Sequence, residues 1–204
     1  FGTDNCMLWL PDVFGYSAAL PQIMLKCGLP YFMTTKINWN EFNQMPYDTF
    51  MWEGIDGSRV LTHFIPTKDY KEAPKWEGTN FFTTYNGSIN PSQIMGGWER
   101  YSQKYLNGEV LNSFGYGDGG GGPTREMLEN ERRLAKGIPG CPQTVMSTAR
   151  NFFETMERHV KDNKYLPSWV GELYLEYHRG TYTSMARNKK YNRKSEYAYG
   201  NLEG

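Results

Sequence analysis

Short apolar runs alternate with amphipathic segments along the first part of the chain. This pattern predicts a buried strand at Cys6–Leu10, a helix at Ser17–Lys26 and a second strand at Pro30–Thr34. Ser17 is typical of a residue that caps a helix, and Gly28 of one that ends it. A strand, a helix and a strand within about 30 residues are typical of a βαβ unit with parallel strands. The pattern therefore indicates an α/β fold.

The rest of the chain adds a predicted hairpin, a long loop and further strands and helices. The strand-like runs Thr49–Trp52 and Arg59–Phe64 flank a turn rich in Gly and Asp, which predicts a β-hairpin. Residues 66–90 are polar, aromatic and aperiodic, which predicts a surface loop of the kind that often lines a binding site. The remaining predicted elements are helices at Pro91–Leu106, Thr124–Lys136, Thr148–Lys161 and Ser184–Tyr199 and strands at Val110–Tyr116 and Trp169–Glu176. Alternation of this kind fits a barrel-like or an open parallel sheet.

Composition narrows the classes of partner. The 204 residues are enough for one domain with a substantial core, and 22 Lys and Arg balance 22 Asp and Glu. The net charge of zero gives no electrostatic reason to expect a nucleic acid or an anionic membrane as partner, so the basic stretch Arg187–Lys194 indicates a solvated helix face. No apolar run approaches the ~18 residues of a membrane span. Three cysteines without a CxxC pair indicate a reducing compartment.

Charged residues follow several of the predicted strands. Asp12 comes after the first strand, Lys36 after the second and Asp118 after the Val110 strand, while Glu172 and Glu176 lie near the last one. In parallel α/β proteins the ligand sits at the carboxyl ends of the strands. Two carboxylates brought together there can act as the nucleophile and the general acid/base of glycoside hydrolysis. The alternative is that each Asp only caps the helix that follows it.

Other motifs leave several interpretations open. The stretch GYGDGGGGPT resembles a turn that cradles a phosphate, but it lacks the Gly-Lys-Ser/Thr ending of a P-loop and equally fits a tight turn that points Asp118 into a site. His63, His159 and His178 lack the spacing of a metal site, so each is predicted to be structural or exposed. Most aromatic rings are expected in the core. Four that lie near loops are candidates for a sugar subsite: Trp39, Trp52, Trp76 and Tyr85.

Longer blocks of sequence carry a family resemblance. In order along the chain, LWLPDVFGYSAALPQIM, YFMTTKINWNEFN, FMWEGIDGSRVLTHF, FGYGDGGGGPTREMLE and WVGELYLEYHRGTYTS resemble successive blocks of the α-mannosidases of glycoside hydrolase family 38. The resemblance covers nearly the whole chain and is strongest to the cytosolic and bacterial-to-vacuolar branch. Ordered blocks of this length are far more specific than a single Gly-rich loop.

The resemblance implies roles for four residues. Asp12, in the family's Asp-x-Phe-Gly-[His/Tyr]-Ser motif, would be the nucleophile and also a zinc ligand, and Phe14 would pack beside it to bind substrate. Lys36 stands where the Golgi and lysosomal branch usually has Arg, so its cation would contact a substrate hydroxyl or the nucleophile. Asp118, in Gly-Asp-Gly, would be the general acid/base. Glu172 and Glu176 align less well and receive no catalytic step.

The resemblance also implies an architecture and a function. Residues 1–204 would be part of one N-terminal catalytic domain built on a barrel-like parallel sheet of the seven-stranded β/α type, and residues 183–204 would begin the helix that leads to a helical bundle. The remaining zinc ligands, a His-x-Asp pair and a His, are expected outside this chain, so the isolated chain would be inactive and its sheet incomplete.

The expected activity is retaining, zinc-dependent hydrolysis of terminal α-linked mannose in oligosaccharides. The alternatives are a carbohydrate-binding module without turnover and, with less support, an enzyme that acts on a phosphate ligand at the Gly-rich turn. The expected location is the cytoplasm or the vacuole, and self-association is left open.

Overall fold

The computed structural model of the chain describes residues 2, 4–40, 42–70, 83–181 and 183–201. The strands of this part are β1 (Met7–Trp9), β2 (Gly15–Tyr16), β3 (Tyr31–Thr34), β4 (Thr49–Glu53), β5 (Arg59–Phe64), β6 (Ser168–Val170) and β7 (Leu173–Tyr174). The helices are α1 (Leu20–Lys26), α2 (Pro91–Arg100), α3 (Arg125–Leu134), α4 (Ala149–Val160) and α5 (Ala186–Gly200). Helices alternate with strands, so the α/β class is confirmed.

The main sheet has the strand order β1-β3-β5-β4-β6 and is mostly parallel. β1 pairs in parallel with β3, placing Met7 opposite Tyr31, and β3 pairs in parallel with β5. The hairpin partners β4 and β5 are antiparallel, as predicted, and β6 runs parallel to β4. The predicted βαβ unit is therefore present as β1, α1 and β3.

Both faces of the sheet are buried, as expected for parallel strands. On β3, Phe32 belongs to one apolar cluster and Met33 to the other, because successive side chains point to opposite faces. Helix α4 covers the Met33 face, and Met24 of α1 lies in the opposite cluster. Trp52, a candidate for a sugar subsite, is instead fully buried in that second cluster and is a core residue.

The start of α1 differs from its prediction. The helix begins at Leu20, with Ala19 as its cap residue, and not at Ser17. The Ser17 hydroxyl accepts a hydrogen bond from the Ala19 N–H, and the Ser17 carbonyl accepts one from the Leu20 N–H, so Ser17 forms a turn before the helix. The predicted end is correct, because Gly28 adopts a φ of +71° that suits glycine.

One predicted strand is wrong, and another is divided into two. Val110–Tyr116 forms only isolated bridges, from Phe114 to Gly87 and from Tyr116 to Gly122, so it pairs with loops and not with the sheet. Trp169–Glu176 is divided at Gly171, whose φ is +105°, into β6 and β7. β7 leaves the main sheet and pairs antiparallel with β2.

Three further helix predictions hold with small shifts, and the fourth is too long. Helices α3, α4 and α5 match their predicted segments, whereas α2 ends at Arg100 because Tyr101 adopts an extended conformation. Of the predicted loop 66–90, the described residues 66–70 and 83–90 contain no helix or strand.

The strand order in the described part of the chain is that of an open sheet, with β1 and β6 at its two ends. A seven-stranded barrel is therefore not seen here and stays a prediction. No side chain of α5 is buried among the described residues, and its proposed place at the start of a helical bundle also stays a prediction. Within the same residues, no helix has the length and hydropathy needed to cross a membrane.

Candidate active site

Asp12 and Lys36 meet at the carboxyl ends of two adjacent parallel strands. Asp12 lies three residues beyond β1, and Lys36 begins a 3₁₀ turn, Lys36–Asn38, just after β3. The Lys36 N–H donates to the Pro11 carbonyl over 2.9 Å, which fastens the two strand ends together. The Lys36 Nζ then lies 3.0 Å from the Asp12 Oδ1. The structure thus brings these two predicted site residues into an ion pair.

The ion pair is asymmetric in its exposure to water. The Lys36 side chain is 15% exposed and that of Asp12 is 48% exposed. The Lys36 ammonium lies 3.5 Å from the ring centre of Trp39 and 5.7 Å from that of Phe14. Cation–π attraction of this kind holds a cation against aromatic faces. The cation is therefore enclosed by aromatic rings, while the carboxylate stays open to a ligand.

Tyr16 secures the segment that carries Asp12. Its hydroxyl donates to the Leu10 carbonyl over 2.6 Å and lies 2.6 Å from the Thr34 hydroxyl, so it bonds to the ends of both β1 and β3. The backbone of Tyr16 pairs with Leu173 in the β2–β7 ribbon. The Asp12–Ser17 block is thereby held over the strand ends, and the last predicted strand is drawn towards the site.

This ribbon brings His178 into the site. A 3₁₀ turn, Glu176–His178, follows β7, and the His178 ring stacks on Phe14 with centroids 4.1 Å apart and planes 3° from parallel. Burial and the Lys36 cation lower the pKa of His178, and the Asp12 carboxylate opposes them. His178 was predicted to be structural or exposed; its ring is half-buried and packs on the predicted site residue Phe14.

Glu176 anchors the turn that carries His178. Its carboxylate accepts hydrogen bonds from the backbone N–H and the side-chain amide of Asn43, each over 3.0 Å. Hydrogen bonds from Asn43 and Asn40 lower the pKa of Glu176 to about 2. Glu172 makes a different contact, since its backbone carbonyl accepts the indole N–H of Trp169. Glu176 therefore holds together two segments at the edge of the site.

Asp118 reaches the site from a loop and not from a sheet strand. The loop is closed by reciprocal hydrogen bonds between Tyr116 and Gly122. It packs on the 83–87 segment so closely that a Cβ on Gly117 would lie 2.5 Å from the Asn86 Oδ1. Asp118 adopts a φ of +54°, an uncommon conformation that Asp tolerates better than most residues and that is often found at functional sites.

Tyr85 connects the two predicted carboxylates. Burial raises the pKa of the Tyr85 hydroxyl, and the negative charges of Asp12 and Asp118 raise it further. The hydroxyl also donates a hydrogen bond to Asp12, which raises its pKa in the same direction. Both carboxylates thus contribute to the electrostatic surroundings of Tyr85, although 105 residues separate them in the chain.

Two backbone N–H groups of the Gly-rich turn make hydrogen bonds within the loop itself. The Gly120 N–H donates to the Gly117 carbonyl, and the Gly122 N–H donates to the Tyr116 carbonyl. These N–H groups serve to close the turn, which favours the tight-turn interpretation over a phosphate cradle. The N-terminus of α3, which follows, is capped by the Thr124 hydroxyl.

The described residues offer one oxygen donor suited to a metal, and not a complete metal site. No group of three or more His, Cys, Asp and Glu side chains within the described ranges could hold a metal ion. The Asp12 carboxylate is an oxygen donor and half exposed, which suits one ligand of a zinc ion.

Sequence reasoning missed His178 and named Tyr85 and Trp39 only as aromatic candidates near loops. Trp39 does lie at the site, over the Lys36 ammonium, whereas Trp76 falls outside the described residues. The other two histidines lie elsewhere: His63 is fully buried, with its pKa lowered to about 3 by burial, and His159 bonds to Asn107. The one signal for His178 in the sequence is its position just after the last predicted strand.

Comparison with known proteins identifies the family. Residues 1–172 match the model of the glycosyl hydrolases family 38 N-terminal domain. The chain is 42% identical to alpha-mannosidase 2C1 of Mus musculus over 206 aligned positions, covering 100% of this chain and 18% of that protein. It is 37% identical to an alpha-mannosidase of Saccharomyces cerevisiae over 210 aligned positions, with coverage of 100% and 18%.

A solved structure shares the fold. The crystal structure of an alpha-mannosidase from Enterococcus faecalis V583 matches with a TM-score of 0.59 and 18% identity, covering 84% of this chain and 18% of that one. The chain spans only 18% of the length of the curated relatives cited. The predicted family resemblance is nonetheless confirmed: the chain belongs to glycoside hydrolase family 38.

Proposed function

We propose that this chain supplies the nucleophile and the general acid/base of a retaining α-mannosidase, with Asp12 and Asp118 in these roles. The observation that carries the proposal is the ion pair between Asp12 and Lys36 at the carboxyl ends of β1 and β3. The ion pair fixes the Asp12 carboxylate at this edge of the sheet, and a carboxylate in a fixed position is the kind of group that attacks a sugar in covalent catalysis. The names of the relatives support mannose as the sugar.

In the proposed first step, an Asp12 oxygen attacks the anomeric carbon and forms an ester, while Asp118 gives its proton to the departing glycosidic oxygen. In the second step, Asp118 takes a proton from water, and the resulting hydroxide cleaves the ester and restores the Asp12 carboxylate. A retaining mechanism needs the two carboxyl groups about 5–5.5 Å apart. Both carboxylates raise the pKa of the same hydroxyl, that of Tyr85, which is consistent with a shared site.

We extend the proposal to zinc. Asp12 would be one ligand of a zinc ion whose other ligands come from outside the described residues, which lack a complete set. When bound, such an ion would supply a Lewis acid for hydroxyl oxygens of the sugar. The roles of this chain's own residues are to hold the sugar and move the proton: Phe14 packs beside the nucleophile, and Lys36 orients it.

The proposed substrate is a mannose-terminated oligosaccharide. Aromatic rings at the site, such as Phe14 and Trp39, suit the apolar faces of a pyranose. The proposed compartment is the cytoplasm, with the vacuole as the alternative. No nucleic acid or membrane is proposed as partner, in keeping with the zero net charge of the chain.

The test is hydrolysis of an aryl α-mannoside by the full-length protein, with and without a zinc chelator. Asp12→Asn removes the nucleophile and should abolish turnover, whereas the matched variant Asp162→Asn changes an exposed Asp and should leave it intact. The chelator should also abolish turnover, and added zinc should restore it. A folded wild-type protein that binds mannosides without hydrolysing them would overturn the proposal and indicate a carbohydrate-binding module.

A further inference from the structure

His178 occupies a position in the site that the two-carboxylate mechanism does not use. Its ring is stacked on Phe14 with centroids 4.1 Å apart, and Phe14 follows Asp12 by two residues. The Lys36 ammonium lies 5.7 Å from the centre of the same Phe14 ring and 3.0 Å from the Asp12 carboxylate. His178 is therefore grouped with the ion pair through a shared aromatic ring.

The placement of His178 is fixed from two directions. The antiparallel pairing of Leu173 with Tyr16 sets the course of the chain before the turn. The bonds from Asn43 to Glu176 fix the beginning of the turn itself. A half-buried ring held in this way is preorganised, which is the property that favours specific binding of a small ligand.

Stacking uses the face of the imidazole and not its polar edge. The two ring nitrogens lie in the plane of the ring, where a neutral imidazole offers one donor and one acceptor. A sugar hydroxyl can both donate and accept, so it can bond to a ring nitrogen of either kind. A pyranose ring in contact with the half-exposed Asp12 carboxylate would lie beside the Phe14–His178 stack.

We propose that His178 is a substrate-binding residue that hydrogen-bonds a hydroxyl of the mannose ring, while its stacked face keeps Phe14 in position. The proposal rests on the proposed mannosidase function and adds a determinant of sugar specificity to it. The competing explanation is that His178 only packs against Phe14. Replacement by an aromatic residue without nitrogens separates the two.

The decisive variant is His178→Phe in the full-length protein. A phenyl ring keeps the stack but loses the hydrogen bond, so kcat/KM for an aryl α-mannoside should fall roughly three- to tenfold. The matched control is His159→Phe, which makes the same chemical change at an exposed histidine on α4 and should leave kcat/KM unchanged. Wild-type kcat/KM in His178→Phe would overturn the proposal.

Deoxy-mannosides identify the hydroxyl. Each deoxy analogue is assayed with the wild type and with His178→Phe, as in a double-mutant cycle. Removing the hydroxyl that His178 binds should cost the wild type several-fold in kcat/KM and cost the variant almost nothing. Parallel losses in both proteins for every analogue would show that His178 binds no sugar hydroxyl.

A second measurement separates this inference from the proposed activity. If the wild type hydrolyses no mannoside, the proposed function fails, and titration calorimetry with methyl α-mannoside tests His178 directly. The inference then requires that His178→Phe bind the mannoside several-fold more weakly than the wild type. Equal binding by the two proteins, or no binding by either, would overturn it.

Discussion

Replacing Lys36 by Met tests whether its positive charge orients the nucleophile. The Lys36 Nζ lies 3.0 Å from the Asp12 Oδ1, and its alkyl stem is largely buried. Met keeps an unbranched apolar stem of similar size but has no charge. We therefore expect the packing around Trp39 and Phe14 to survive while the ion pair is lost.

The magnitude follows from the geometry. Two unit charges at 3.0 Å attract by about 5.5 kcal/mol at an effective dielectric constant of about 20. Asp12 is 48% exposed, so water screens the pair and the net value falls to about 1.5–3 kcal/mol, typical of a hydrogen bond to a charged group. If that energy serves to place the nucleophile, kcat/KM should fall roughly 10- to 150-fold.

The assay is hydrolysis of an activated aryl α-mannoside by the full-length protein. Lys36→Arg keeps the charge and can still stack on Trp39, so it should retain most of the activity. Lys104→Met is a matched control, because Lys104 also lies over a tryptophan, 4.9 Å from the centre of Trp98, on an exposed surface. Wild-type kcat/KM in Lys36→Met would show that the Lys36 charge does not orient the nucleophile. Equal losses in the Met and Arg variants would show the same.

Two other predictions concern proton transfer and stability. Asp118→Asn should lower kcat/KM for mannosides with poor leaving groups far more than for those with activated ones, because only poor leaving groups need a proton. Equal losses across a series of leaving groups would show that Asp118 is not the general acid. Burial raises the pKa of Asp48 from 3.8 to about 6, against the opposing charge of Arg100, so the folded protein binds this proton more tightly than the unfolded chain does. This contribution to the free energy of unfolding is therefore fully present only below about pH 3.8, and about 3 kcal/mol of it is lost as the pH rises from there through about 6. In Asp48→Asn, the melting temperature of the full-length protein should fall less between about pH 4 and about pH 7 than it does in the wild type. The same pH dependence in both proteins would show that Asp48 is not its source.

Local patterns in the sequence predicted the elements whose partners are near in the chain. The unit β1-α1-β3 and the hairpin β4-β5 have short connections, so their pairing follows from periodicity and turn residues. Val110–Tyr116 has a strand-like composition, but its partner is a loop, which no local pattern specifies. The division of the last strand at Gly171 likewise depends on β2, which is distant in sequence.

In the candidate site, too, the sequence predicted only those positions that follow from neighbouring elements. Asp12 and Lys36 were predictable, because adjacent parallel strands bring their following residues together. Tyr85 and His178 reach the site from a loop and a turn. Tertiary contacts fix their positions: the loop packs through Asn86 on Gly117, and the turn is bonded to Asn43. Their sequence neighbourhoods carry no periodic signal, so only the folded structure assigns them to the site.

We propose that Asp12 carries the sugar between the two steps. The most direct measurement is peptide mass spectrometry of the full-length protein after reaction with a slow fluorinated mannosyl fluoride, which lets the ester accumulate. We expect a mannosyl adduct on the peptide that contains Asp12, and no adduct in Asp12→Asn. An adduct on Asp118 or on another residue, in a protein that hydrolyses mannosides, would contradict it.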